Sequence, residues 1–375
     1  MSRVHLGDVA IEHKETCKED KSMYPIVGLE HLTPEQITLQ NWDLNTENTF
    51  TKVFRKGNIL FGRRRAYLKK AAVAPFDGIC SGDITVIEAK EDKIIPELLP
   101  FVIQNDDLFD FAVGKSAGSL SPRVKWTHLQ NYEFELPTKE KQRELAKALW
   151  AIEDTRKSYQ ELIKRTDELV KSQFIELFGD PISEKLYKTK TIGEIGEVFT
   201  GTTPSTKKEE YYENKDILFI KPGDISENKV CIVDKAENYI SDKAKKVARI
   251  FPKGSVLVTC IGIIGKIGIA EYESSCNQQI NVIVPSPTVD STYLAYNLLL
   301  VRSNLQDAAN APVVPILNKT DFSKVEVMVP PYERQCEFAT FVEQSDKSKF
   351  GKEMCDKWIL EIKNLCCQMY LILRQ

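Results

Sequence analysis

Long apolar runs are missing from this 375-residue chain, and none approaches the roughly 18 to 20 residues that a membrane span requires. The opening Met1-Ser-Arg-Val-His-Leu6 also lacks a secretory pattern, so a cytoplasmic location with no membrane attachment is expected. Cysteine occurs nine times, an odd and scattered set without a C-x-x-C pair; this argues against a disulfide framework and for reduced thiols. Histidine is scarce, and His5, His13, His31 and His128 stand at no metal-ligand spacing, so no metal site is expected. No Gly-x-x-x-x-Gly-Lys-Ser/Thr phosphate loop is present. The nearest approach, Gly262-Ile-Ile-Gly265-Lys266-Ile-Gly268, has the wrong spacing and no hydroxyl after the lysine. A net charge of -3 leaves no overall basic excess, so any affinity for nucleic acid must come from how charge is distributed.

What the chain does have is a repeat. Leu136-Pro-Thr-Lys-Glu140-Lys-Gln142-Arg-Glu144-Leu-Ala146 returns as Val329-Pro-Pro-Tyr-Glu333-Arg-Gln335-Cys-Glu337-Phe-Ala339. Upstream, Phe54-Arg-Lys-Gly57-Asn-Ile-Leu60 matches Phe251-Pro-Lys-Gly254-Ser-Val-Leu257, and Leu6-Gly7-Asp8-Val9 matches Ile192-Gly193-Glu194-Ile195. The period far exceeds the roughly 20 to 50 residues of a solenoid unit. It implies a duplicated domain with its own helical arm, and therefore two heads that hold two related but different things. With 42% hydrophobic and 28% charged residues, the chain can bury a core in each.

Four segments are predicted, in an α+β class. Residues 1–137 alternate short β-rich runs (Ile59-Leu60-Phe61, Ile84-Thr85-Val86-Ile87) with turn signals at Lys56-Gly57 and Asp77-Gly78, and read as a mixed α/β domain. Residues 138–180 read as a helix. Leu145, Leu149, Ile152, Arg156, Tyr159, Ile163, Thr166, Val170, Gln173 and Leu177 step by fours and threes, the spacing of a coiled-coil seam. Gly179-Asp180-Pro181 stops it. Residues 181–330 form a second mixed α/β domain with strands at Ile217–Ile220, Ser255–Thr259 and Ile280–Val284, and residues 331–375 a second helix. That helix carries Cys355, Ile359, Ile362, Cys366, Met369 and Leu373 in the same alternation, so the two helices are expected to pair as an antiparallel coiled coil. A helix of about 40 residues is about 60 Å long, suited to separating two domains.

Pro137 to Pro181, above all Glu140-Lys-Gln142-Arg-Glu144-Leu-Ala146 and Leu169-Val-Lys-Ser-Gln-Phe-Ile-Glu-Leu-Phe-Gly-Asp-Pro181, resembles the central helical region of the specificity subunits of type I restriction-modification enzymes. The resemblance covers the whole chain, in the order target-recognition domain, helix, target-recognition domain, helix. Thr200-Gly-Thr-Thr-Pro204, Phe219-Ile-Lys-Pro-Gly-Asp-Ile225 and Cys276-Asn-Gln-Gln-Ile280 are similar to the family's loop motifs; the first domain has Val27-Gly-Leu-Glu30 and Ser119-Leu-Ser-Pro-Arg-Val-Lys-Trp126 but lacks the Thr-Pro and Pro-Gly-Asp loops. The resemblance implies a subunit without catalytic residues that recognises a bipartite, asymmetric duplex DNA target. Two modification subunits would methylate adenine N6 with S-adenosylmethionine, and restriction subunits would use ATP and Mg. Val329-Pro-Pro-Tyr332 imitates an adenine-methyltransferase motif, but Val329 offers no amide or carboxylate to the amine.

Reading DNA requires cations and small hydroxyl-bearing loops on phosphates, and Arg, Lys, Asn or Gln at base edges. In the first domain the candidates are Arg63, Arg64, Arg65, Lys69, Lys115, Arg123 and Lys125. If extended, Arg123 and Lys125 share one face, with Val124 and Trp126 on the other. In the second domain they are Thr202, Thr203, Ser205 and Lys207, in a loop where Gly201 would admit phosphate, with Lys221, Asn277, Gln278 and Gln279 for bases. A second basic run is Lys243, Lys245, Lys246 and Arg249. The rival reading is a stand-alone Mg-dependent nuclease of the Pro-Asp…Asp/Glu-x-Lys kind, built on Asp77 or Asp83 with Glu88-Ala-Lys90. The second half offers no counterpart to it. A scaffold without DNA contact is a third reading, which the salt dependence of DNA binding would test.

Overall fold

The computed structural model describes residues 2–18, 21, 24–44, 47–309 and 314–349. Two compact units divide within one helix, between Tyr159 and Gln160. The predicted seam of the last helix, from Cys355 to Leu373, lies outside the described residues.

The first unit is built on two small sheets. One has the strand order Ala10–Glu12, Ile84–Ala89, Ile59–Gly62, Ala71–Val73, antiparallel throughout. The other places Gly78–Cys80 between Ile26–Val27, which runs parallel to it, and Lys52–Phe54, which runs antiparallel. Strand Ile84–Ala89 is buried over its first four residues, the uninterrupted apolar pattern of a strand covered on both faces. A further antiparallel pair, Ser2–His5 with Glu133–Leu136, ties the start of the unit to the strand that leads into the long helix.

The second unit repeats this connectivity and adds to it. Gly196–Thr200, Ile280–Pro285, Val256–Thr259 and Ile267–Ala270 follow the same order, extended by Cys231–Val233 parallel to the last. Ser274–Cys276 lies between Ile217–Ile220 (parallel) and Ile250–Phe251 (antiparallel), with Tyr239–Ile240 on the far edge. Thr189–Thr191 pairs with Glu326–Met328 as the first pair does in the other unit.

The repeated sequence segments serve the same local purposes in both units. Leu6–Val9 and Ile192–Ile195 are single helical turns entered alike: His5 N–H donates to Asp8 Oδ2 at 2.8 Å, and Thr191 N–H to Glu194 Oε2 at 2.7 Å. Gly57 and Gly254 turn the chain in the left-handed region (φ 89° and 82°), and their N–H groups donate to Ala74 O and Ala270 O at 2.9 and 2.8 Å.

The long helix spans Lys139–Phe178, 40 residues. Its buried positions differ from the continuous four-three stripe expected. Gln142, Ala146, Leu149 and Glu153 are buried near its start, and Val170, Phe174 and Phe178 near its end; of the predicted seam, Leu149 and Val170 are fully buried and the rest half-buried. Each end packs into a domain core. Ala146 and Leu149 meet Leu98, while Phe174 and Phe178 join Tyr293 and Phe338, with the Phe174 ring 5.4 Å from Tyr293 and 5.3 Å from Phe338. Phe338 belongs to the helix Tyr332–Lys349, so the two helices meet within the second unit. The polar seam residues look inward to their own helix: Arg156 pairs with the buried Glu153 (Nε to Oε2, 2.9 Å), and the Thr166 hydroxyl donates to Leu162 O at 2.8 Å. Among the described residues no helix is long and apolar enough to cross a membrane.

Candidate nucleic-acid interface

Most of the first-domain candidates lie along one stretch of surface. Residues 63–65 follow strand Ile59–Gly62 and run beside residues 122–124. Arg64 bridges Arg123 as an antiparallel pair, Arg65 N–H donates to Pro122 O at 2.8 Å, and Val124 N–H donates to Arg63 O at 3.0 Å. Asp83 sits between the cations, accepting from Arg123 Nε at 2.7 Å and from Arg64 Nη1 at 3.3 Å. Arg123 beside it holds the Asp83 carboxyl below its ordinary range. Arg64 Nε also donates to Ser121 Oγ at 2.5 Å. Lys69 pairs with Asp106, Lys115 Nζ lies 5.7 Å from the centre of the Phe111 ring, and Lys125 is exposed. Arg123 and Lys125 are exposed on either side of the buried Val124, as expected, but Trp126 opens the short helix Trp126–Leu129 and is only partly covered.

In the second domain the loop after Gly196–Thr200 approaches the Asn277–Gln279 turn. Thr203 Oγ1 donates to Gln278 Oε1 at 2.6 Å; Asn277 Nδ2 donates to Gln279 Oε1 at 2.9 Å, and Asn277 Oδ1 accepts Gln279 N–H at 3.1 Å. Thr203, Lys221 and Asn277 line an open cleft of about 680 Å³ together with Tyr212, Phe219 and Asn238. Thr202 accepts Arg249 N–H at 3.0 Å, while Ser205 and Lys207 are exposed.

Several of these residues also have contacts within the fold. Gly201 is needed for packing: a Cβ there would stand 2.3 Å from Asn277 O and 2.5 Å from Cys276 O. Arg249 is exposed, and its Nη1 donates to Thr200 O at 2.7 Å. Lys243 and Lys245 are tied to Glu213 and to Asp242 and Glu273. Lys70 and Lys266 are matching clamps, Nζ donating to Leu29 O at 2.8 Å and to Pro222 O at 3.0 Å.

The first domain lacks the Pro-Gly-Asp motif in sequence but holds a counterpart to its loop in structure. Asp224 Oδ2 accepts Lys221 N–H at 2.8 Å; at the same place His31 Nδ1 accepts Gly28 N–H at 2.9 Å. Asp83 enters the sequence reading only as a nuclease carboxylate and not among the DNA contacts, although Cys80-Ser-Gly-Asp-Ile84 has the Cys-x-x-x-Ile spacing of Cys276-Asn-Gln-Gln-Ile280. The turns are equivalent: Ser81 Oγ accepts Asp83 N–H at 3.2 Å where Asn277 Oδ1 accepts Gln279 N–H at 3.1 Å.

The residues of the nuclease reading are otherwise engaged. Asp77 accepts Lys56 N–H at 2.8 Å and Arg55 Nη1 at 3.0 Å, Asp83 holds the two arginines, Glu88 lies 2.7 Å from His13 Nδ1, and Lys90 Nζ donates to Gly7 O at 2.6 Å. Nothing favours that alternative. Among the described residues no group of His, Cys, Asp and Glu could hold a metal ion.

The family model for the type I restriction modification DNA specificity domain matches twice, at residues 3–165 and 184–353. The chain belongs to this family. Two specificity-domain matches in tandem agree with the duplicated connectivity of the two units. Among relatives, the specificity subunit of the type I restriction enzyme MjaIX of Methanocaldococcus jannaschii is 34% identical over 186 residues, covering 48% of this chain and 43% of that protein. The specificity subunit of the HindI enzyme of Haemophilus influenzae is 28% identical over 183 residues, covering 48% of this chain and 39% of that protein. The chain thus spans less than half the length of these two specificity subunits. In fold it is similar to the type I restriction-modification S subunit from M. genitalium, with a TM-score of 0.61 at 12% identity over 98% of this chain and 95% of that one.

Proposed function

We propose that this chain is the DNA sequence-specificity subunit of a type I restriction-modification complex. Its target is a bipartite, asymmetric duplex sequence. Residues 1–137 and 181–330 act as the two target-recognition domains, one for each half-site, and 138–180 and 331–375 as the helical spacers. The single observation that carries this reading is the duplication: one connectivity is built twice in a chain of the specificity-domain family, with different polar side chains at equivalent turns, Asp83 in one and Gln279 in the other. Two equal scaffolds with unequal contact residues suit two unequal words.

The spacers pair as an antiparallel coiled coil, a reading supported by the meeting of Phe174 and Phe178 with Phe338. Each offers a docking face to one of two modification subunits, which carry out adenine N6 methylation with S-adenosylmethionine. Restriction subunits supply ATP- and Mg-dependent translocation and cleavage. The chain itself supplies no catalytic group and holds no cofactor, and it works in the cytoplasm.

The test is domain exchange. The full chain, co-expressed with its modification subunits, is given the first target-recognition domain of another family member, and methylated motifs are read by single-molecule sequencing. The first half-site is expected to change and the second to stay as it was. Alteration of both halves would refute the modular reading, and unassisted methylation or cleavage by the purified chain would refute the non-catalytic one.

A further inference from the structure

At one edge the two halves correspond residue for residue through their backbone hydrogen bonds but differ in side chains. Arg63, Arg65 and Val124 donate through backbone N–H to Asp83 O, Pro122 O and Arg63 O at 3.0, 2.8 and 3.0 Å. Cys260, Gly262 and Leu317 donate in the same pattern to Gln279 O, Pro315 O and Cys260 O at 2.8, 3.1 and 2.9 Å. Arg65 therefore occupies the position of Gly262. Likewise Asp83 matches Gln279, and the bridge of Arg64 to Arg123 matches that of Ile261 to Ile316.

The backbone at this edge is left-handed in both halves. φ is 55° at Arg65 and 76° at Gly262; a few residues on it is 51° at Lys69 and 80° at Gly265. The second half meets the requirement with glycine, the residue that adopts this conformation freely. The first half meets it with arginine and lysine, against the steric preference of any side chain. Folding alone does not ask for a cation there. Glu35 is also left-handed, with φ 63°; backbone outliers of this kind persist where the surrounding structure holds them, and they cluster at functional sites.

Within the run of arginines, Arg63 has its Nε buried, and Arg65 is the exposed member on left-handed backbone. Arg64 and Arg123 are both held by Asp83, and Lys69 is held by Asp106. Arg65 is exposed and, among the described residues, its guanidinium has no partner. On the corresponding edge of the second half, Ile316, 42% accessible, stands where the first half has Arg123, and Ile263 is 50% accessible near the polar Gln278 and Gln279.

We infer that Arg65 is the specificity-determining residue of the first half, reading a guanine of its half-site in the major groove. A guanidinium fork offers two donors to the O6 and N7 acceptors of guanine, whereas an amide offers one donor and one acceptor, the pattern that suits adenine N6 and N7. Asp83 is a positioning residue that keeps Arg64 and Arg123 in place beside it. This inference rests on the DNA-recognition reading above and adds to it a residue and a base.

The experiment uses the full chain assembled with its modification subunits, as wild type, Arg65→Gly and Arg65→Lys. Glycine suits the left-handed backbone, so Arg65→Gly is expected to keep or raise the thermal midpoint, which separates loss of reading from loss of fold. Both variants are expected to reduce the preference for guanine over other bases at one position of the first half-site by roughly tenfold to hundredfold. The second half-site should be unchanged. Full retention of every preference, or an equal weakening on all duplexes with no position relaxed, would overturn the assignment to Arg65 while leaving the recognition reading intact. Absence of sequence preference in the wild-type complex would overturn both.

Discussion

Asp83 is the carboxylate that two arginines of the charged cluster share. It accepts from Arg123 at 2.7 Å and from Arg64 at 3.3 Å, and the first of these contacts does most to hold its carboxyl below the ordinary value of 3.8. A carboxyl with a depressed folded-state pKa stabilises the fold above its unfolded-state pKa, and that contribution disappears as pH falls through the lower, folded value. Asp83→Asn is therefore expected to destabilise the first unit by a constant amount between about pH 5 and pH 8. The difference from wild type should shrink below 3.8. Denaturant titration at several pH values checks this; a difference that grows on acidification would contradict it. The sequence displays Arg63-Arg64-Arg65 as a basic run, but not that two arginines from distant segments share a carboxylate contributed by a third. That is a matter of which loops the sheet brings together.

At the level of elements, the repeated Pro…Gln motif is a structural clamp. Gln142 is buried and joins three pieces of chain: its Nε2 donates to Pro137 O at 2.8 Å and its Oε1 accepts Ile95 N–H at 2.8 Å. Gln335 does the same for Pro330 O at 2.8 Å and Asp290 N–H at 2.9 Å, the latter belonging to the residue that caps helix Ser291–Leu300. Each clamp fixes the start of a spacer helix on its domain. Gln142→Ala or Gln335→Ala leaves a part-buried N–H and a buried carbonyl without this partner, and the orphaned carbonyl is expected to lower stability by about 1–3 kcal/mol. Calorimetry should show a lower unfolding temperature for the unit carrying the change. A loss below about 0.5 kcal/mol would mean that water replaces the side chain. Here the sequence was legible: the motif announces its importance by repetition, and a glutamine five residues after a proline at a helix start is well placed to reach back.

For the whole molecule, the spacer is the quantity to vary. The long helix is anchored at both ends, by Ala146 and Leu149 in one core and by Val170, Phe174 and Phe178 in the other, with half-buried residues between. Removing seven residues from the middle of each spacer, two turns at about 1.5 Å per residue, shortens the rod by about 10 Å while keeping its faces in register. Under the proposed paired arrangement the half-sites are expected to move closer by about three base pairs, at 3.4 Å each, with both half-site sequences unchanged. Motif sequencing reads this directly, and an unchanged spacing would refute the role of the helices as a ruler.

The sequence by itself determined the duplication, the helix of 40 residues and its Gly179 stop, and the turns at Gly57 and Gly254, because these follow from local rules: residue identity, period and backbone freedom. Family membership was legible for the same reason, through motifs in order. Only tertiary structure decided what the loops do. That Gly201 makes room for Cys276 and Asn277, that His31 takes the place of Asp224, and that Arg65 stands where the other half has Gly262 depends on contacts between segments far apart in the chain. No period or propensity encodes which strand ends meet. Strand pairing sets that, and with it which side chains are tied up and which stay free for a ligand.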